Sequence, residues 1–221
     1  MGMQFRGFAS SADEIDEGLN PFEMRVYCRW LPPSGRILLV GSGAGRDLLG
    51  LARLGYQVTG VEPLSDLVET ARSHLARCRV SASVTLGSIE TVDLDSQYDA
   101  VIFAPACYSN IQSSSVRVGT LSRLRSHLSP GGRLIISYIG SVSRSRVAVA
   151  LMRISTRLAA ADWKPEPGDA FARYHESHGN LYFEHVFRRG EIAQECAAAG
   201  FRVADEYFNS NRADCIVLEP A

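Results

Sequence analysis

Lysine is nearly absent from this 221-residue chain: Lys164 stands alone, and the other 22 of the 23 basic residues are arginine. Acids are missing from one long stretch, since none falls between Asp99 and Asp162 while eight arginines do. The total still balances at a net charge of -1, with 46% hydrophobic and 21% charged residues. That excludes a disordered chain and any binder driven by net charge alone. Paired cysteines are lacking too. Cys28, Cys78, Cys107, Cys196 and Cys215 form no C-x-x-C motif, and an odd, scattered set implies reduced thiols and a cytoplasmic location. The longest apolar run, Ala100 to Cys107, is eight residues long and contains Pro105, against the roughly 20 needed to span a membrane. Arg6, Asp13, Glu14, Asp16 and Glu17 break up any signal peptide, and Arg6 stands where a myristoylation signal needs Ser or Thr. No repeat appears, and the length fits one domain at about 150 residues per domain with an elaborated cap.

What is present alternates. Ser11-Ala12-Asp13-Glu14 has the form of a capping box, so a short N-terminal helix is expected in a cap segment of about 1–34. Ile37 to Val40 is a short apolar run that enters Gly41-Ser42-Gly43-Ala44-Gly45, followed by leucines at helical spacing and a stop at Gly55. Strands are expected at 57–61, 80–86, 98–104 and 133–138, with helices at 65–77 and 115–128 between them. Strands separated by helices of this length form a parallel sheet covered on both faces. A helix at 189–199 and strands at 201–208 and 214–219 finish the chain. The expected fold is therefore α/β: a Rossmann-like, doubly wound, mostly parallel seven-stranded sheet ending in an antiparallel hairpin. A connection of about 140–188 far exceeds the usual loop length and is expected to cap the substrate side.

A glycine loop between strand and helix lets backbone amides approach a ligand at a helix N-terminus. The dinucleotide fingerprint needs a third glycine at position 46, where Arg46 stands, so the motif is G-x-G-x-G rather than G-x-G-x-x-G. Glu62 ends the next strand, 21 residues after Gly41, and can accept both hydroxyls of a ribose. Residues 37–47, Gly55 to Pro63, the turn Leu128 to Leu134, and the pair Phe187 to Ile192 and Ala199 to Phe201 together resemble the class I S-adenosylmethionine-dependent methyltransferases.

The resemblance implies that Gly41, Ser42, Gly43 and Gly45 line the methionine part of S-adenosylmethionine, that Glu62 holds its ribose, and that Pro63 and Leu64 pack near its adenine. Ser88 and Ile89 occupy the place where the family often has an acid on the adenine amino group; serine departs from that pattern, leaving backbone groups or Glu90 to take the role. Leu39 departs again, where many members carry an acid two residues before the first glycine. Ala104 and Tyr108, just past the fourth strand, fall where methyl donor and acceptor meet.

Methyl transfer from a sulfonium needs alignment and exclusion of water, and a base only if the acceptor must lose a proton. His175, His178 and His185 fall within eleven residues of the insertion, and His175 and His178 are the candidate bases, with Tyr108 as a further catalytic candidate. Packing within a cap is the competing role for each. No metal is expected: the trio has no nearby cysteine and only Glu176 and Glu184 as carboxylates. A G-x-S-x-G elbow is missing, which argues against a serine hydrolase. Residues 143–160 are expected to form a helix with Val147, Leu151, Ile154 and Leu158 on one face and Arg146, Arg153 and Arg157 on another, behind Arg144. A solvated face and a site for an anionic acceptor both fit that stripe.

The expected function is transfer of a methyl group to O or N of a small-molecule acceptor, an anionic one included. The alternatives are a non-catalytic S-adenosylmethionine-binding partner subunit and a methyltransferase acting on protein or RNA. Nucleic acid is disfavoured because the arginines lack interleaved aromatics. Self-association as a homodimer is left open.

Overall fold

The computed structural model describes residues 16–80, 82–140, 151, 154, 164–173, 181–209 and 213–221. Helix α1 (Pro21–Trp30) opens with a capping box: the Asn20 side chain accepts from the amides of Phe22 and Glu23 at 2.9 and 3.0 Å, and Glu23 accepts from the Asn20 amide at 2.8 Å. Pro21 suits the first helical position because its absent N–H would have had no partner there. The expected capping box at Ser11 to Glu14 lies outside the described residues.

The chain then runs β1 (Arg36–Val40), α2 (Arg46–Arg53), β2 (Gln57–Glu62), α3 (Ser65–Cys78), β3 (Ala82–Leu86) and β4 (Tyr98–Phe103). A 3-10 turn at Cys107–Asn110, α4 (Ser114–Ser126) and β5 (Leu128–Tyr138) follow. A separate two-stranded hairpin, β6 (Asp169–Arg173) with β7 (Leu181–His185), precedes α5 (Glu191–Ala198), β8 (Phe201–Tyr207) and β9 (Asp214–Pro220). The seven-stranded sheet has the order β3-β2-β1-β4-β5-β9-β8, parallel through β5, with β9 antiparallel to both its neighbours. The expected architecture is therefore the observed one. The order reverses between β1 and β4, and such a switch point leaves a crevice at the carboxyl ends of the strands where ligands bind.

Strand alternation builds two cores. Leu38, Val40, Val101, Phe103, Leu134 and Ile136 face α4 and α5, while Ile37, Leu39, Ala100, Ile102, Ile135 and Val217 face α1, α2 and α3. Each fully buried Leu or Ile contributes about 1.5–3 kcal/mol. That burial accounts for Leu39, the departure from the family's acid: its side chain is fully buried in the second core.

Two expectations on local structure need correction. The fifth strand starts at Leu128 rather than at 133: Leu128 already pairs with Tyr98, and the pairing resumes at Arg133 opposite Ala100 after a register shift, with Gly131 left-handed between them. The long connection also contains β6 and β7, whose alternation was too short to stand out in the sequence. Residues Arg144, Arg146, Val147, Arg153, Arg157 and Leu158 of the expected arginine-striped helix lie outside the described residues. The other four arginines of the acid-free stretch are used internally. Arg123 donates to the carbonyls of Val92 and Ile89, Arg125 to that of Ala221, and Arg133 pairs with Glu219 at 2.9 Å.

Arg117, the fourth, is fully buried. Its guanidinium pairs with Glu195 at 2.7 Å and Glu166 at 3.1 Å, donates to the Ile111 carbonyl at 3.1 Å, and lies over the Phe187 ring. Tyr108 stacks on Phe187 with ring centroids 5.5 Å apart and donates its hydroxyl to Glu195 at 3.1 Å. This network fastens the segment before the hairpin to α4 and α5.

The hairpin has its own anchor. His185, fully buried, sets Nδ1 2.6 Å from Asp169 and Nε2 3.3 Å from Glu191. Burial alone would lower the imidazole pKa, but the hydrogen bonds to the two carboxylates outweigh it and raise it. Burial works against Glu191 as well, yet His185 and the Arg188 amide hold its carboxyl below the usual range. A raised folded-state pKa stabilises fully below the ordinary histidine value of about 6.5 and loses that contribution as pH rises through the raised value. Thermal melting between about pH 6 and 9 should therefore show stability falling on the alkaline side, and His185→Gln should flatten that slope. An unchanged slope in the variant would remove His185 as its source.

Candidate active site

The glycine loop is shaped by backbone conformations that side chains resist. Gly41, Gly43 and Gly45 have φ of 72, 53 and 102°, all left-handed. Gly41 is the most constrained: a Cβ there would stand 2.2 Å from Cys107 Sγ, so the loop and the segment after β4 are in direct contact. A Cβ on Gly43 would meet nothing within 4 Å, so that position faces open space at the N-terminal end of α2. The amides of Gly41 and Ser42 both donate to the Val61 carbonyl, and the Ala104 amide donates to that of Val40. These bonds tie β1, β2 and β4 together at one edge.

Glu62 closes this edge. It is 5% exposed, and its carboxylate accepts from the amides of Gly43 at 3.0 Å and Leu64 at 3.2 Å. Burial raises its pKa, and the two amides offset part of that rise. Ser42 is buried, and its Oγ has no hydrogen-bond partner among the described residues. Pro63 is exposed and Leu64 half-buried beyond Glu62. The segment carrying Ser88 and Ile89 lies beside them, since the Gly87 amide donates to the Glu62 carbonyl at 3.0 Å. Ser88 donates its hydroxyl to Glu90, while Ile89 is buried in the first core.

The structure thus gathers Gly41, Ser42, Gly43, Gly45, Glu62, Leu64, Ser88 and Ala104 along the carboxyl edge of the sheet. Tyr108 is fully buried with its hydroxyl engaged by Glu195. His175 and His178 lie outside the described residues. Sequence reading missed Cys107, whose thiol burial pushes far up and so keeps neutral against Gly41. It also missed the cluster of Glu23, Arg46 and Asp47, in which Arg46 lies 2.5 Å from each carboxylate. Asn20 and Glu23, three apart around a proline, were the available signal.

Residues 37–132 match the family model described as a methyltransferase domain. The ubiquinone biosynthesis O-methyltransferase of Xanthomonas axonopodis pv. citri is 30% identical over 143 residues, covering 64% of this chain and 58% of that protein. The chain thus spans less than two thirds of that relative. Among solved structures, an S-adenosylmethionine-dependent methyltransferase from Methanosarcina mazei superposes with a TM-score of 0.68 at 19% identity, covering 92% of this chain and 98% of that one. The amino pentose methyltransferase CalS10 of Micromonospora echinaspora, solved with S-adenosylmethionine, gives 0.63 at 20% identity and covers 97% and 93%. The fold is an α/β domain with a glycine loop at the carboxyl edge of its parallel strands. Residues 37–132 thus resemble a methyltransferase domain, and the fold is the one that S-adenosylmethionine-dependent methyltransferases adopt. Its own residues fit such a cofactor in two respects: Gly43 opens onto free space, and the Glu62 carboxylate stands at the same edge, bonded to the Gly43 amide.

Proposed function

We propose that this chain binds S-adenosylmethionine over Gly41 to Gly45 and Glu62 and transfers its methyl group to O or N of a small-molecule acceptor. The observation that carries the reading is the convergence of the left-handed glycine loop with the Glu62 carboxylate, 3.0 Å from the Gly43 amide. Bound there, the cofactor supplies an electrophilic methyl on a sulfonium. An acceptor that carries a proton would give it up to a base of this chain or to water. Backbone amides at the α2 terminus orient the donor, and the wall formed by Ala104 and Cys107 keeps its approach narrow. Among the described residues no helix is long and apolar enough to cross a membrane, in keeping with a small-molecule acceptor.

Calorimetry with S-adenosylmethionine tests the reading: a folded chain that shows no binding would sink it. Release of S-adenosylhomocysteine in step with a methylated product separates an enzyme from a non-catalytic binding subunit. His175 and His178 are proposed as bases for acceptors that must lose a proton. His175→Ala and His178→Ala are expected to lower turnover about 100-fold or more while leaving cofactor affinity intact. Unchanged turnover in both returns them to a packing role.

A further inference from the structure

His74 and Cys78 stand four residues apart at the end of α3, so their side chains share one face of the helix. Asp16, in the segment before α1, meets them there. His74 is 5% exposed, and its Nε2 lies 3.3 Å from Asp16 Oδ1 and 3.8 Å from Cys78 Sγ. The three donor atoms all fall within 4.8 Å of one another. Tetrahedral zinc, bound at about 2.0–2.1 Å to nitrogen and oxygen and about 2.3 Å to sulfur, sets such donors about 3.3–3.6 Å apart. Both spacings to Nε2 are close to those edges.

Arg77 fixes where the imidazole proton is. A guanidinium can only donate, and its Nη2 stands 2.8 Å from His74 Nδ1. Nδ1 therefore accepts, the ring is neutral, and its one N–H is on Nε2, the atom that the carboxylate and the thiol share. Asp16 is held in place by its backbone as well: Arg53 donates to the Asp16 carbonyl at 3.0 Å. Three residues on, Leu19 lies so close to α2 that a Cβ on Gly50 would stand 2.6 Å from Leu19 Cγ. The segment is thus laid across α2 with its carboxylate already beside α3, and the half-exposed Asp16 side chain leaves an ion a way in from solvent.

We propose that Asp16, His74 and Cys78 bind one zinc ion, which staples the segment before α1 to the end of α3. The ion takes the place of the Nε2 proton, and water completes the tetrahedron. Cys78 gives its thiol proton to the buffer, so thiolate and carboxylate together cancel the charge of the ion. The imidazole proton is then carried on Nδ1, and Arg77, mostly exposed, turns out to solvent. A thiolate beside an imidazole and a carboxylate suits zinc, whereas magnesium and calcium take oxygen donors. The second cluster of this kind, Glu166, Asp169 and His185, has no thiol, and Arg117 already pairs with Glu166.

Cobalt(II) substitutes for zinc in such sites and reports a thiolate ligand by its charge-transfer absorption in the near ultraviolet. The full chain, with its thiols reduced, is titrated with cobalt chloride near neutral pH and then with zinc chloride. One equivalent of cobalt is expected to raise the band, and one equivalent of zinc to abolish it. Cys78→Ser should remove the band, while Cys28→Ser, at an exposed thiol on α1, should keep it. Asp16→Ala should weaken zinc binding about ten-fold or more, and Arg77→Gln, which removes the competing charge and offers a carbonyl to Nδ1–H, should tighten it several-fold. Circular dichroism checks that each variant folds, and the half-exposed Asp16→Ala decides the matter if Cys78→Ser does not. A chain without the band overturns the proposal, as does a band that survives Cys78→Ser or a zinc affinity that Asp16→Ala leaves unchanged.

Discussion

Glu62→Ala should weaken S-adenosylmethionine binding by about 100-fold. Two hydrogen bonds to a charged carboxylate contribute about 1.5 kcal/mol each, and about 3 kcal/mol is two decades in affinity. The size of the effect follows from where Glu62 sits. It is 5% exposed at the end of β2, one strand away from the point where the order reverses, and both its oxygens face amides of the loop edge. The same oxygens hold the amides of Gly43 and Leu64, so the substitution also loosens the loop that the cofactor must meet. Calorimetric titration measures the loss, and thermal melting of the ligand-free variant separates it from general unfolding. A change of less than about three-fold in affinity would show that Glu62 serves the loop and not the ribose. Glu62→Gln keeps one acceptor oxygen and is expected to fall between the two.

Arg117→Met should destabilise the chain by about 3–5 kcal/mol, the range observed when one partner of a buried ion pair is removed. Arg117 is fully buried and Glu195 is 6% exposed, so the variant leaves a carboxylate under the fold with only the Tyr108 hydroxyl, 3.1 Å away, to hold it. Glu166 loses the guanidinium at the same time and keeps only its bond from the Ser114 amide at the start of α4 among the hydrogen bonds of its carboxylate to described residues. Chemical denaturation reads the change, and adding Glu195→Gln to Arg117→Met should restore part of it by removing the stranded charge. Simple additivity of the two substitutions would mean that the pair is not coupled. Cofactor affinity of the folded fraction should change little, because the network lies on the α4 and α5 side, whereas the glycine loop opens at the edge of β1 and β2.

These two residues mark the limits of what the chain's linear pattern reveals. Glu62 is legible because its role is set locally: a strand ends, the register with β1 is fixed by apolar alternation, and the acid falls at the edge by counting. The same holds for the parallel sheet, since short apolar runs alternating with helices pack as right-handed parallel crossovers. Arg117 gives no such sign. In the sequence it is one of eight arginines in an acid-free stretch, and its partners are 78 and 49 residues away. The acid-free stretch looks like a basic surface only because the compensating carboxylates, Glu166, Glu195 and Glu219, lie later in the chain.

Tyr108 shows the same limit at the candidate site. Its position after the fourth strand marks it for the acceptor side, but stacking on Phe187 and bonding to Glu195 draw it into the core.

The sequence by itself determined the α/β class, the alternation of strands and helices, the glycine loop and its acid, because each depends on residues adjacent in the chain or one strand apart. Only the tertiary structure decided which charges meet. It sent Arg117 inward and set Glu23 and Asp47 around Arg46, because pairing of buried charges depends on distance in space and on the exclusion of water, which the order of residues along the chain does not encode.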